Sequence, residues 1–66
     1  MITEKDVGQR VEDGAGRVGI LRDVIKDYED PAELPGERQK RHAAFLSPEG
    51  GGLEWIVSPA SVALIP

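Results

Sequence analysis

Apolar and polar residues alternate along several short segments of the chain, and each alternation predicts a β-strand. In the segment VGQRVED, Val7, Gln9 and Val11 fall on one side, which is the period of a half-buried strand. The DGAGR that follows carries Gly14 and Gly16. Because glycine takes a positive φ at little steric cost, we predict a tight hairpin turn with a bulge here.

The next segment, VGILRDVIKDY, changes its apolar face partway along. Val18 and Ile20 share one face, whereas Leu21 falls on the other and further apolar residues follow it. Such a switch is typical of a bent or bulged strand. The spacing from Leu21 to Tyr28 also fits a helix over residues 20–28. The β-branched residues and the lack of a capping signal favour the strand.

A charged, aperiodic segment, EDPAELPGERQKRH, separates the two halves of the chain. Its prolines, its glycine and its many charges predict a solvated loop, and we expect residues 29–41 to be flexible. Acidic residues run as far as Glu37, and Arg38, Lys40 and Arg41 follow them. This order is typical of a surface loop that neutralises its own charge.

The last third of the chain predicts three more short strands. Residues 43–46 form a short buried strand, and SPEGGG forms a turn. In LEWIVS, the alternation points Leu53, Trp55 and Val57 inward and leaves Ile56 exposed. Pro59 cannot donate to a strand ladder, so that strand ends there. A single helical turn and a final strand within ASVALI should follow.

Five short strands joined by tight turns predict an all-β fold, a small closed or nearly closed five-stranded β-barrel with a long charged loop, as one domain over residues 1–66. A barrel suits a short chain because it leaves little open sheet edge. The predicted core consists of Val11, Val18, Ile20, Leu21, Val24, Phe45, Leu53, Trp55, Val57, Val62 and Leu64.

The amino-acid composition excludes several kinds of chemical site. The 66 residues include no cysteine and one histidine, His42, and the formal net charge is −4. Disulfides, thiolate zinc sites, thiol catalysis and multi-histidine metal sites are therefore excluded. The Gly50–Gly52 run lacks the lysine and the helix of a phosphate loop. No carboxylate pair is forced together, so we expect no enzyme, no catalytic residue, no cofactor and no metal site.

No apolar stretch approaches the roughly 20 residues needed to span a bilayer. The start of the chain, MITEKD, lacks the apolar region of a signal peptide. We therefore expect a cytoplasmic protein that does not associate with membranes.

Two segments resemble PRC-barrel domains. VGQRVEDGAGRVGILRDV is similar to the opening hairpin of those domains, and EWIVSPASVALI is similar to their closing strands. The resemblance implies a small barrel that serves as a binding module. The residues that carry the first match are Gly8, Val11, Asp13, Gly16, Gly19, Asp23 and Val24.

Three further resemblances bear on function. The ending at Pro59–Val62 is similar to that of SH3 domains, and this resemblance implies a five-stranded SH3-like barrel. The ending lacks the Asn and Tyr that help to line a polyproline groove. The first hairpin resembles the KOW motif of ribosomal and transcription proteins, although Glu12 and Asp13 make it acidic here. Together with PEGGGLEW, the chain as a whole also resembles small actinobacterial proteins.

The sequence thus predicts a non-enzymatic protein-interaction module, with a KOW-like nucleic-acid-associated barrel as the alternative. We expect the partner to be another protein. We do not expect nucleic acid as the partner, because the chain is acidic and no aromatic residue interleaves its basic residues. We expect a monomer or a weak homo-oligomer. Trp55 is expected in the core, and the candidate partner-binding residues are Ile56, Tyr28, Arg38, Lys40 and Arg41.

Overall fold

The computed structural model describes residues 2–65, which form an all-β fold. Short 3-10 turns lie before the first strand, at Glu4–Asp6, and between later strands, at Pro35–Glu37 and Pro59–Ser61. None of the helical turns within residues 2–65 is long and apolar enough to cross a membrane. The strands are β1 (Arg10–Glu12), β2 (Val18–Tyr28), β3 (Arg41–Ser47), β4 (Trp55–Val57) and β5 (Ala63–Leu64).

The strands form one antiparallel sheet in the order β4-β3-β2-β1-β5. This confirms the predicted all-β, five-stranded, barrel-like fold, and β2 replaces the alternative helix over residues 20–28. The short strands β4 and β5 form the two edges. Eleven residues of β2 would extend over about 36 Å, and the molecule is elongated, with dimensions of 41 × 24 × 19 Å.

The chain before β1 differs from the prediction. The alternation from Val7 indicated a strand, but a 3-10 turn caps the N-terminal segment and β1 begins only at Arg10. The Thr3 hydroxyl accepts a hydrogen bond from the backbone N–H of Lys5 (3.2 Å), and the Asp6 carboxylate accepts one from the N–H of Thr3 (2.9 Å). These local bonds compete with strand pairing, and Val7 remains exposed.

The predicted irregularity of β2 is present. The β2–β3 register shifts between Leu21 and Asp23, and again between Ile25 and Tyr28. Because directly opposed residues of an antiparallel pair share a face, Leu21, Leu46 and Trp55 form one inward row, and Val24, Ala44 and Val57 form another. The first shift explains how Leu21 and Val24, three residues apart, both point inward.

At the start of β2, the prediction of Val18 and Ile20 as core residues is wrong. Gly19 and Leu21 point inward, so Val18 and Ile20, predicted as core, lie on the other face and are half-buried. Phe45 is likewise half-buried on the outer side of β3. The buried core cluster comprises Ile2, Val11, Leu21, Val24, Ala44, Leu46 and Val62, with Trp55 and Val57 packed against it.

Two other predicted core residues are exposed. Leu53 precedes β4 and is 91% exposed, because Gly51 and Gly52 adopt positive φ and carry the chain outside the sheet. Leu64 lies opposite Val11 on the inward side. It is nevertheless 49% exposed, since it lies at the outer end of the sheet on an edge strand.

The loop between β2 and β3 spans residues 29–40, because Arg41 already belongs to β3. The Arg38 guanidinium donates hydrogen bonds to the carbonyl oxygens of Pro31 (3.1 Å) and Glu33 (3.0 Å). These bonds hold the segment before the Pro35–Glu37 turn in a defined path. The flexibility of the loop stays a prediction.

Candidate functional site

Trp55 is held by the turn between β1 and β2. Its indole Nε1 donates a hydrogen bond to Asp13 Oδ2 (2.9 Å), although 42 positions separate the two residues. The Arg17 Nε donates to the same oxygen (3.1 Å), and the Arg17 guanidinium lies 4.7 Å from the centre of the Trp55 ring system, in cation–π geometry. We call Asp13, Arg17 and Trp55 the indole latch.

Asp13 is the charged centre of the latch and is buried. Its Oδ1 accepts hydrogen bonds from the backbone N–H groups of Ala15 and Arg17, both at 2.9 Å. The pKa of Asp13 lies below its ordinary value, above all because of the Arg17 backbone hydrogen bond. Burial opposes this shift, and the bonds from Trp55, Ala15 and the Arg17 side chain reinforce it. Asp13 therefore remains ionised at neutral pH.

The Trp55 ring also explains a glycine in β2. A Cβ built on Gly19 would lie 2.7 Å from Trp55 Cη2 and 2.5 Å from the backbone oxygen of Ser47. Only a residue without a side chain leaves room for the ring there. The indole thus lies over β2 while its N–H reaches the first turn. The predicted inward direction of Trp55 is confirmed, because its ring packs against the core cluster, although the residue is only half-buried.

A second surface lies on the opposite side of the sheet. The register places Asp23 and Ile25 of β2, Ala43 and Phe45 of β3, and Ile56 of β4 on one face, which we call the outer face. Ile56 is 48% exposed, as the sequence predicted. Ala43 is buried yet does not belong to the core cluster. The outer face therefore carries an apolar patch of its own.

An aromatic pair extends this patch. The rings of Tyr28 and Phe45 meet edge to face, with their centres 5.3 Å apart. Beside them lies a depression of about 320 Å³, which we call the Tyr28–Ile56 depression; it is lined by Tyr28, Asp30, Arg41, His42, Ala43, Ile56, Val57 and Ser58. Its wall combines apolar side chains with one carboxylate, one guanidinium and one imidazole.

The structure brings together three of the five predicted partner-binding residues, Tyr28, Arg41 and Ile56. The Arg41 guanidinium faces Glu33 at 3.6 Å, and its side chain remains 60% exposed. Arg38 and Lys40 do not line the depression. Arg38 instead contacts the carbonyl oxygens of its own loop, so its guanidinium has a structural role that the sequence pattern did not indicate.

Several site residues escaped sequence reasoning. Asp30 was grouped with the loop acids, and His42 and Ala43 were not linked to Ile56. The edge-to-face contact of Tyr28 with Phe45 depends on the register shift after Ile25, which no local pattern reveals. Among residues 2–65, no group of three or more His, Asp or Glu side chains is arranged to hold a metal ion.

Comparison with known proteins found no matching family model, no similar curated protein and no similar solved structure.

Proposed function

We propose that this chain is a non-enzymatic protein-interaction module that binds its partner through the outer face of its sheet. The observation that carries the proposal is the Tyr28–Ile56 depression, where an exposed apolar side chain, an aromatic ring and charges of both signs meet. Apolar patches rimmed by polar groups mark protein interaction sites on soluble domains.

The distribution of aliphatic side chains supports this proposal. Within residues 2–65, six large aliphatic residues are buried, namely Ile2, Val11, Leu21, Val24, Leu46 and Val62. Six others are exposed, namely Val7, Ile25, Leu34, Leu53, Ile56 and Leu64. Two of the exposed six, Ile25 and Ile56, lie on the outer face. Single exposed aliphatic residues are ordinary, but two on the same face as the Tyr28–Phe45 pair favour an interface.

The charges favour a protein over a nucleic acid. The depression contains Asp30 as well as Arg41, and the chain carries a net charge of −4. Binding to phosphates depends on clustered positive charge. The aromatic rings of Tyr28 and Phe45 pack against each other, rather than forming a row of stacking platforms for bases.

The proposal includes the compartment and the architecture expected from the sequence. We assign the chain to the cytoplasm and to the SH3-like, PRC-barrel type of binding module. The strand order β4-β3-β2-β1-β5 and the 3-10 turn between β4 and β5 support the architecture. The PRC-like residues also have structural roles here: Gly16 has a φ of 86° in the first turn, and Gly19 lies beneath Trp55.

A capture experiment with matched variants tests the proposed surface. Tagged wild-type chain, Ile56→Ser and Leu64→Ser serve as baits in lysate of the native cell. Ile56 and Leu64 are equally exposed, at 48% and 49%, and they lie on opposite edge strands. We expect Ile56→Ser to lose at least about tenfold in capture of a protein partner, or about 1.4 kcal/mol. Leu64→Ser should retain it.

The competing outcomes are distinct. Equal loss in both variants, with both shown to be folded by thermal melts, would remove the outer face from the proposal. A salt-dependent mobility shift with RNA or DNA, without any Ile56-dependent protein, would favour the KOW-like alternative instead.

A further inference from the structure

We infer that the partner of the Tyr28–Ile56 depression is the same depression of a second copy of this chain, in a two-fold symmetric dimer. The inference rests on the proposed function, because it uses the same surface. In a two-fold interface, residue i of one copy contacts residue j of the other, and j contacts i in return. Such a surface must carry charged and apolar groups that each find a matching group on the second copy.

The charges of the depression meet this requirement. Asp30 and Arg41 line the same small concavity. A two-fold axis through the depression brings the carboxylate of each copy to the guanidinium of the other, so that two ion pairs form at once. Arg41 forms an ion pair with Glu33 at 3.6 Å, but its side chain is 60% exposed. A guanidinium has five N–H donors, so those not used by Glu33 can face a second copy.

The apolar side chains of the depression also find matching groups on a second copy. Ile56 is half-exposed at the depression, beside the buried Ala43 and the ring of Tyr28. The same symmetry that pairs the charges packs Ile56 of each copy against the apolar wall of the other. An unrelated partner would have to supply a projecting apolar side chain together with both signs of charge in matching positions. A second copy supplies all three.

The area available indicates a weak dimer. A standard interface buries about 800 Å² on each partner, and the whole accessible surface of this chain is 4568 Å². The interface would therefore need about a sixth of the molecule's surface and about 20–30 residues of each copy, whereas eight residues line the depression. We expect association at the low end of the size range, with a dissociation constant in the micromolar range or weaker.

Sedimentation velocity over about 10 µM to 1 mM tests the inference on the intact chain. The mass of wild type should rise from 7.1 kDa toward the dimer value as concentration increases. Ile56→Lys should remain monomeric throughout, and Leu64→Lys should associate as wild type does. Ile56→Ser, a milder change, provides the same test if Ile56→Lys does not fold, as judged by circular dichroism.

A charge-exchange experiment tests the symmetry itself. Asp30→Lys alone places like charges at both contacts, and Arg41→Glu alone does the same. Each variant should therefore lower the self-association constant by at least about tenfold. In an equimolar mixture, both contacts again pair opposite charges, and a mixed dimer should form. Glu12→Lys makes the same charge change as Asp30→Lys on the exposed part of β1, and it should leave association unchanged.

Three results would overturn the inference. They are a wild type that stays monomeric at 1 mM, a dimer insensitive to Ile56→Lys, and a mixture that associates no better than its components. If wild type is monomeric while capture of another protein still depends on Ile56, the proposed function stands and the second copy is replaced by that protein. If both experiments fail, the surface has neither role.

Discussion

At the scale of single residues, the first hairpin holds the tryptophan through a carboxylate and a missing side chain. Asp13 accepts the indole hydrogen bond at 2.9 Å. Gly19 leaves the space that the ring fills. Neither residue has an apolar side chain, so a search for core side chains passes over both. Both contribute through Trp55, because its ring needs space and its partly buried indole N–H needs an acceptor.

Gly19→Ala should destabilise the fold. The added methyl would lie 2.5 Å from the backbone oxygen of Ser47 and 2.7 Å from the Trp55 ring, and overpacking of this kind costs about 1–3 kcal/mol. Urea denaturation monitored by circular dichroism measures the loss. Gly36→Ala is the control, because nothing lies within 4 Å of its Cβ position. If Gly19→Ala were as stable as Gly36→Ala, the ring could not lie over residue 19.

At the scale of elements, the edge strand β4 has two different sides. Trp55 and Val57 pack toward the core, and Ile56 between them lies on the outer face. The strand is only three residues long, so its ladder with β3 gives few hydrogen bonds. In addition, the indole latch connects β4 to the turn between β1 and β2. Strand β4, which presents Ile56 on the outer face, is therefore held in place by the contacts of Trp55 on its inward side.

Trp55→Ala should leave the domain largely unfolded at room temperature. Truncation of a large aromatic residue in a core costs about 3–5 kcal/mol, and domains of this size seldom have more stability than that. Trp55→Phe keeps an aromatic ring but cannot donate to Asp13, so it should cost less, about 1–3 kcal/mol. Thermal melts by circular dichroism rank the variants. A Trp55→Ala variant that folds normally would make Trp55 a surface anchor instead.

At the scale of the whole molecule, the indole latch connects distant parts of a sheet whose two edge strands are short. Contacts within the inward rows join neighbouring strands, whereas the Asp13–Trp55 hydrogen bond joins β4 to the far side of β2. A small domain buries a modest share of its surface and has little stability to spare. A charged hydrogen bond that spans the sheet should therefore affect global unfolding as well as local order.

Asp13→Asn should remove an acid-sensitive part of the stability. The pKa of Asp13 is lowered in the folded state, so its ionised form stabilises the fold above the unfolded pKa of about 3.9. That contribution is lost as the pH falls through the lower folded pKa. The stability difference between wild type and Asp13→Asn should be constant from about pH 5 to 8 and should shrink below about pH 4.

Urea denaturation at a series of pH values measures this difference. Glu12→Gln serves as the control, because it removes an exposed carboxylate from the neighbouring position. A gap between wild type and Asp13→Asn that stays constant down to pH 2 would show that the ionised carboxylate does not hold the indole.

The local sequence pattern was enough to predict the strands, several turns and the exposure of one side chain. Alternation, glycine and proline act on the residues beside them. The bulged course of β2, the end of β4 before Pro59 and the exposure of Ile56 could therefore be predicted. Single candidate residues of the surface, such as Tyr28 and Arg41, could also be named, but not their meeting place.

Tertiary structure decided which faces point inward and which distant residues meet. A period of two defines two faces equally well, so alternation alone could not show that Gly19 and Leu21, rather than Val18 and Ile20, face the core. Leu53 fits the inward period, but the glycine turn before it leaves it in solvent. Asp13 meets Trp55, and Tyr28 comes near Ile56, only because strand register brings together residues far apart along the chain. Register depends on the packing of every strand at once, which no short segment contains.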